Sequence, residues 1–117
     1  MAELTSNENA ESKQTTQEGG STEVVQITLP SEKIWKHAAK LAITDDKPIL
    51  LDYWMDSINK KAIIGVREGS EEKLLVKSEE EYTSTIAKIF KVDSEFIIVT
   101  ENSIYLVSAN IATKRIS

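Results

Sequence analysis

The spacing of apolar residues changes several times along this chain, and each change predicts an element. Val24-Val25-Gln26-Ile27-Thr28-Leu29 is rich in β-branched residues and stops at Pro30, a pattern that predicts a short strand closed by a breaker. Ser31 follows as a helix N-cap, and Glu32 sets a carboxylate at the positive end of the helix dipole. Ile34, Ala38 and Leu41 then recur at i, i+4 and i+7, with Trp35, Ala39 and Ala42 widening the stripe. This spacing predicts an amphipathic helix running to about Ile43 and ended by Asp45-Asp46-Lys47-Pro48.

After Pro48 the period drops to two. Ile49, Leu51, Tyr53 and Met55 alternate with Leu50, Asp52, Trp54 and Asp56, which predicts a strand whose odd positions face the core. Ala62, Ile64 and Val66 alternate again over Lys61–Arg67, Gly69-Ser70 marks a turn, and Lys73–Lys77 reads as a short strand. Connections this short predict an antiparallel meander, because a parallel pair joined in succession needs a crossover of about a dozen residues or more.

Residues 78–92 fit two patterns. Ser78 and Glu81 make a capping box, and Tyr82, Ile86, Ile89 and Phe90 share a helical face. Thr83, Thr85 and Ile86 are β-branched, and Tyr82, Ile86, Phe90 and Val92 share one strand parity. The strand is the preferred element. Phe96–Val99 and Ile104–Val107 then form a hairpin about Glu101-Asn102-Ser103. Ile111–Ile116 adds an edge strand guarded by Lys114 and Arg115. Strands apolar on both parities need cover on two sides. The fold class expected is therefore α+β, mainly β: an antiparallel meander curled into a small, partly open barrel with one packed N-terminal helix.

Charge divides the 117 residues unevenly. Residues 1–23 carry five glutamates against Lys13, a formal −4, which leaves −1 of the total −5 for the other 94. Their only apolar side chains are Met1, Ala2, Leu4 and Ala10, too few to offset a backbone ordering cost of about 1–2 kcal/mol per residue. Residues 1–23 are thus expected to be a disordered acidic arm, and 24–117 a single β-rich domain. The near-neutral remainder leaves anionic partners open. No basic and apolar leader, lipidation motif or run of about 18 apolar residues is present, so an intracellular, soluble, cytoplasmic protein is expected.

Candidate chemistry is sparse. The chain has no Cys and one His, His37, which removes thiol catalysis and Cys-based metal sites. Phosphate loops, nucleophile elbows and EF-hand patterns are absent from the sequence, and neither a cofactor nor a metal site is predicted. On the expected 49–56 strand, Asp52 and Asp56 lie about 13 Å apart, with Trp54 between them. That arrangement suits an aromatic platform with flanking acids for a cationic side chain; a core tryptophan with rim acids is the preferred reading, since large aromatics are mostly core. Lys33, Lys36 and Lys40 form a basic helix face beside His37, able to meet phosphates or a partner's acids, or to be simply solvated.

If 78–91 is helical, the order helix, three strands, helix, strand over residues 31–100 resembles the core of the PD-(D/E)xK nuclease family. The resemblance implies a metal-dependent nuclease or a nucleic-acid accessory protein, with Glu71-x-Lys73 as the nearest acid-x-Lys. Two departures stand against it: no acid precedes Arg67 on the second strand, and Leu75 occupies the acid position before Lys77. The function expected from the residues is a non-catalytic binding or assembly module. It would act through protein–protein contacts or self-association, with Trp54, Asp52, Asp56, Lys33, Lys36 and Lys40 as its candidate binding residues.

Overall fold

A computed structural model describes residues 27–116. The expected acidic arm and residues 24–26 lie outside the described residues, and Ile27–Pro30 runs into the first helix without joining a ladder. Helix α1 spans Glu32–Asp45. The Ser31 hydroxyl accepts the Ile34 N–H at 3.2 Å, as its N-cap position predicts. At the other end, Asp46 adopts a left-handed conformation (φ 54°) and returns its N–H to the Ala42 carbonyl.

The strands divide between two four-stranded sheets and do not close into a barrel. In the first sheet, β1 (Ile49–Leu50), β5 (Ile86–Val92), β6 (Glu95–Thr100) and β7 (Ile104–Ser108) lie in the order β1-β7-β6-β5. In the second, β2 (Ile63–Arg67), β3 (Lys73–Ser78), β4 (Glu81–Tyr82) and β8 (Ala112–Ile116) lie in the order β4-β3-β2-β8. A five-residue helix, α2 (Trp54–Ile58), stands between β1 and β2.

Alternation along β6 and β7 sets three layers. Ile97, Val99, Ile104 and Leu106 face Ile34 and Ala38 of α1, together with Trp54. Ile98, Tyr105 and Val107 face Ile64 and Leu75 of the second sheet, together with Tyr53 and Ile111. The double-sided apolar pattern is thus satisfied by a helix on one face and a sheet on the other. Each such Ile, Leu or Val taken fully from water contributes about 1.5–3 kcal/mol. Thr100, also fully buried, closes the β6–β7 turn by accepting the Ser103 N–H on its hydroxyl at 3.1 Å.

The mixed α+β, mainly β class with one main helix is therefore what the structure shows, with three differences in detail. The strand expected over 49–56 stops at Leu50. Asp52 and Tyr53 turn the chain, and the Ser57 N–H reaches the Tyr53 carbonyl at 3.0 Å, because aspartates at 52 and 56 suit turns and first helical turns better than a ladder. The meander is interrupted too. β1 leaves to pair in parallel with β7 (Ile49↔Ile104), and β8 pairs in parallel with β2 (Ile63↔Ala112). Parallel pairing is reached here between elements distant in sequence, which adjacent-strand reasoning does not consider. The preferred strand over 78–92 is broken into β4 and β5, which belong to different sheets. Residues 78–92 hold no helix, so the element order behind the nuclease resemblance is absent.

Candidate binding groove

Helix α1 packs over β6 and β1 and leaves the helix-side face of β5 largely uncovered. The β5–β6 register pairs Phe90 with Ile97 and Val92 with Glu95, so Phe90 and Val92 point to the same side as α1. Val92 is buried beneath the helix, whereas Phe90, one pair further out, keeps 39% of its surface exposed. The result is a groove of about 570 Å³ between α1 and β5. Leu41, Phe90, Val92 and Ile97 provide its apolar lining, and Lys33, His37, Lys40, Lys91 and Asp93 its polar lining.

The polar lining is cationic. It holds three lysines and one aspartate, and that aspartate already faces Lys33 at 3.6 Å across exposed side chains. Such a solvent-screened pair is worth about 1 kcal/mol or less, so it does not commit Lys33. β5 lies at the end of its sheet and has a ladder partner, β6, on one side only. At the N-terminal end of α1, the Glu95 carboxylate accepts the Ser31 N–H at 3.0 Å and the Ser31 hydroxyl at 2.6 Å. These two bonds tie α1 to the β5–β6 turn and so set the separation of the groove walls.

Of the candidate binding residues, Lys33 and Lys40 come together here with His37. Lys36 lies exposed on α1 and is not part of the groove lining. Asp52, Trp54 and Asp56 do not share one exposed face. Trp54 is 5% exposed, packed against Ile34 and Ala38, with its indole N–H donated to the Thr28 carbonyl at 2.6 Å. It is a core tryptophan because α2 turns it under α1, where a straight strand would have left it on an open face.

An acid and an aromatic ring do hold a cation, but within the chain. Lys77 Nζ lies 3.2 Å from Asp56 and 3.6 Å from Glu81, and 4.6 Å from the centroid of the Tyr53 ring. Tyr53 in turn meets Tyr105 edge to face, with centroids 5.4 Å apart. Burial, then the charges of Glu81, Tyr105, Asp52 and Asp56, push the Tyr53 phenol above the usual tyrosine range. Burial and then Asp52 raise Tyr105 likewise, against a hydrogen bond from Ser103. Burial works against the Lys77 ammonium, but the Asp56 hydrogen bond and the charges of Asp56, Glu81 and Asp52 outweigh it and raise its pKa. All three groups hold their protons more firmly than free side chains, which suits a staple between α2 and the second sheet.

Sequence reasoning missed Phe90 and Leu41 as site residues. The Phe90–Val92 parity was readable, and a two-residue turn at Asp93-Ser94 would have placed Phe90 opposite Ile97. That α1 stops short of β5 has no local signal. Among the described residues, no three His, Asp or Glu side chains gather as a metal site, and no helix is long and apolar enough to cross a membrane. Comparisons with protein-family models, curated proteins and solved structures gave no match to this chain.

Proposed function

We propose that this chain is a non-catalytic protein-binding module whose α1–β5 groove receives an extended, acidic segment of a partner protein. The observation that carries the reading is Phe90, a large aromatic 39% exposed on a strand laddered on one side only, under a rim with an excess of lysine. A segment laid along β5 directs alternate side chains towards Phe90, Val92 and Leu41, and main-chain groups supply affinity by strand addition. Phe90 acts as the aromatic anchor. Lys33 and Lys40 select acidic flanks and speed encounter more than they add to final affinity. The perturbed tyrosines and lysine of the Tyr53 cluster favour a non-catalytic reading, since their shifts make them poorer bases and nucleophiles at neutral pH.

Backbone amide shifts of the labelled chain, recorded while a decapeptide of alternating Glu and Val is added, test this. Shifts are expected over Lys33–Leu41 and Ile89–Val92, weakening with salt and reduced at least tenfold in affinity by Phe90→Asp. Shifts confined to other faces, or the same groove shifting only with a mixed-sequence oligonucleotide, would overturn it.

A further inference from the structure

Two grooves on this molecule carry cationic side chains, and they differ in charge balance. Over the outer face of the second sheet, Arg67 and Arg115 line a groove that also holds Glu79, and Arg67 already faces Glu72 at 3.8 Å. Its lining holds two arginines against one glutamate. The α1–β5 groove has three lysines against Asp93 alone. The acidic complement is carried by the same chain, because residues 1–23 hold Glu3, Glu8, Glu11, Glu18 and Glu23 against Lys13.

Covalent geometry permits the two to meet. Twenty-six residues precede Ile27 in this sequence and can span roughly 85–95 Å when extended, against a longest molecular dimension of 51 Å. The described chain enters α1 at Ser31, two residues before Lys33, the first lysine of the groove lining. A tethered segment meets its site at an effective concentration on the order of millimolar, well above that of a second copy in dilute solution. We propose that the acidic residues 3–23 lie in this chain's own α1–β5 groove, with their glutamates on Lys33 and Lys40, and that they compete there with the acidic partner segment. The inference rests on the binding reading above. Exposed ion pairs are individually weak and screened by salt, so this occupant is held loosely enough to be displaced.

The absence of cysteine makes the test clean. A nitroxide on Ser12→Cys in the full chain is expected to broaden the amide signals of Lys33, His37, Lys40 and Phe90 to Val92 beyond those of the second sheet. The broadening should fade at high salt and when the five arm glutamates are changed to Gln. The same glutamine variant should bind the Glu–Val decapeptide several-fold more tightly than the unchanged chain. Broadening that is absent or uniform overturns the inference. So does broadening seen only when spin-labelled chains are mixed with labelled-nitrogen chains lacking the nitroxide, because the arm would then belong to a second copy. Decapeptide binding at the groove without arm broadening removes this inference and leaves the binding reading standing. Arm broadening in the unchanged chain, with a glutamine variant that loses it and still binds no decapeptide, removes the partner reading, and with it the competition.

Discussion

Ser31 and Glu95, 64 residues apart in sequence, hold each other through two hydrogen bonds, one from the Ser31 N–H at 3.0 Å and one from its hydroxyl at 2.6 Å. The same hydroxyl caps α1 by accepting the Ile34 N–H. One serine therefore orders the helix start and fastens it to the β5–β6 turn, while the Glu95 carboxylate sits at the positive end of the helix dipole. Glu95 is 8% exposed, so few waters can replace its partner.

Removing either residue should be costly, and unequally so. Glu95→Ala loses two hydrogen bonds to a charged acceptor and should destabilise the fold by about 2–3 kcal/mol. Ser31→Ala keeps the N–H bond but loses the cap, at about 1–2 kcal/mol. The double variant should fall short of the sum, since each single change already breaks the shared bond. Urea unfolding of the four proteins measures the coupling. Strict additivity would show that the two residues act separately.

Local pattern revealed the ends of elements better than their neighbours. The Ser31 cap, the Ile34-Ala38 stripe and the hairpin about Asn102 were readable because each depends on residues within one turn of one another. The fate of residues 51–58 was not, because the alternation of Leu51, Tyr53 and Met55 is genuine and the turn at Asp52 competes with it. Trp54 shows the consequence for function: on a strand it could serve as an open platform, but on α2 it is core. Lys33 and Lys40 were found as a basic face, yet the groove beside them depends on how far α1 extends across the sheet, a property of packing rather than of any stretch of sequence.

The Tyr53 cluster predicts loss of stability at alkaline pH. Folded Tyr53 keeps its proton to higher pH than the unfolded chain, whose tyrosines titrate near about 10. Above that point the unfolded state binds fewer protons, so stability is fully present below about pH 10 and declines as pH rises towards the folded value. Tyr105 and Lys77 are raised too and act with the same sign. Each fully differing group steepens the decline by about 1.4 kcal/mol per pH unit. Unfolding in urea from pH 9 to 11 should show this fall, and Tyr53→Phe, which retains the ring beneath Lys77, should flatten it. An unchanged slope in Tyr53→Phe would assign the effect elsewhere.

Gly65 on β2 leaves room for the side chains of Ile116 on β8 and Val76 on β3, the strands that flank it. A Cβ at this position would stand 2.7 Å from the Ile116 Cδ1 and 3.1 Å from a Val76 methyl. Gly65→Ala should cost about 1–3 kcal/mol through overpacking. Ile116→Val removes the nearer atom, so the pair Gly65→Ala with Ile116→Val should recover part of that loss. A thermal melt showing no recovery would place the strain in the backbone or at Val76.

Phe90 and Ile97 are cross-strand partners on one sheet face, yet they should respond differently to truncation. Ile97 is 1% exposed and packs with Ile34 and Val99 in the core beneath α1, so Ile97→Ala should cost about 2–5 kcal/mol. Phe90 lies beyond the edge of the helix and already keeps 39% of its surface in contact with water, so Phe90→Ala should cost well under the roughly 3–5 kcal/mol typical of a buried phenylalanine. The contrast separates a side chain needed to hold the sheet together from one left for an occupant. Urea unfolding supplies the stability of each variant, and the decapeptide titration supplies its affinity. Phe90→Ala is expected to lose affinity while remaining folded. A loss of stability equal to that of Ile97→Ala would instead make Phe90 a core residue and close the groove as a binding site.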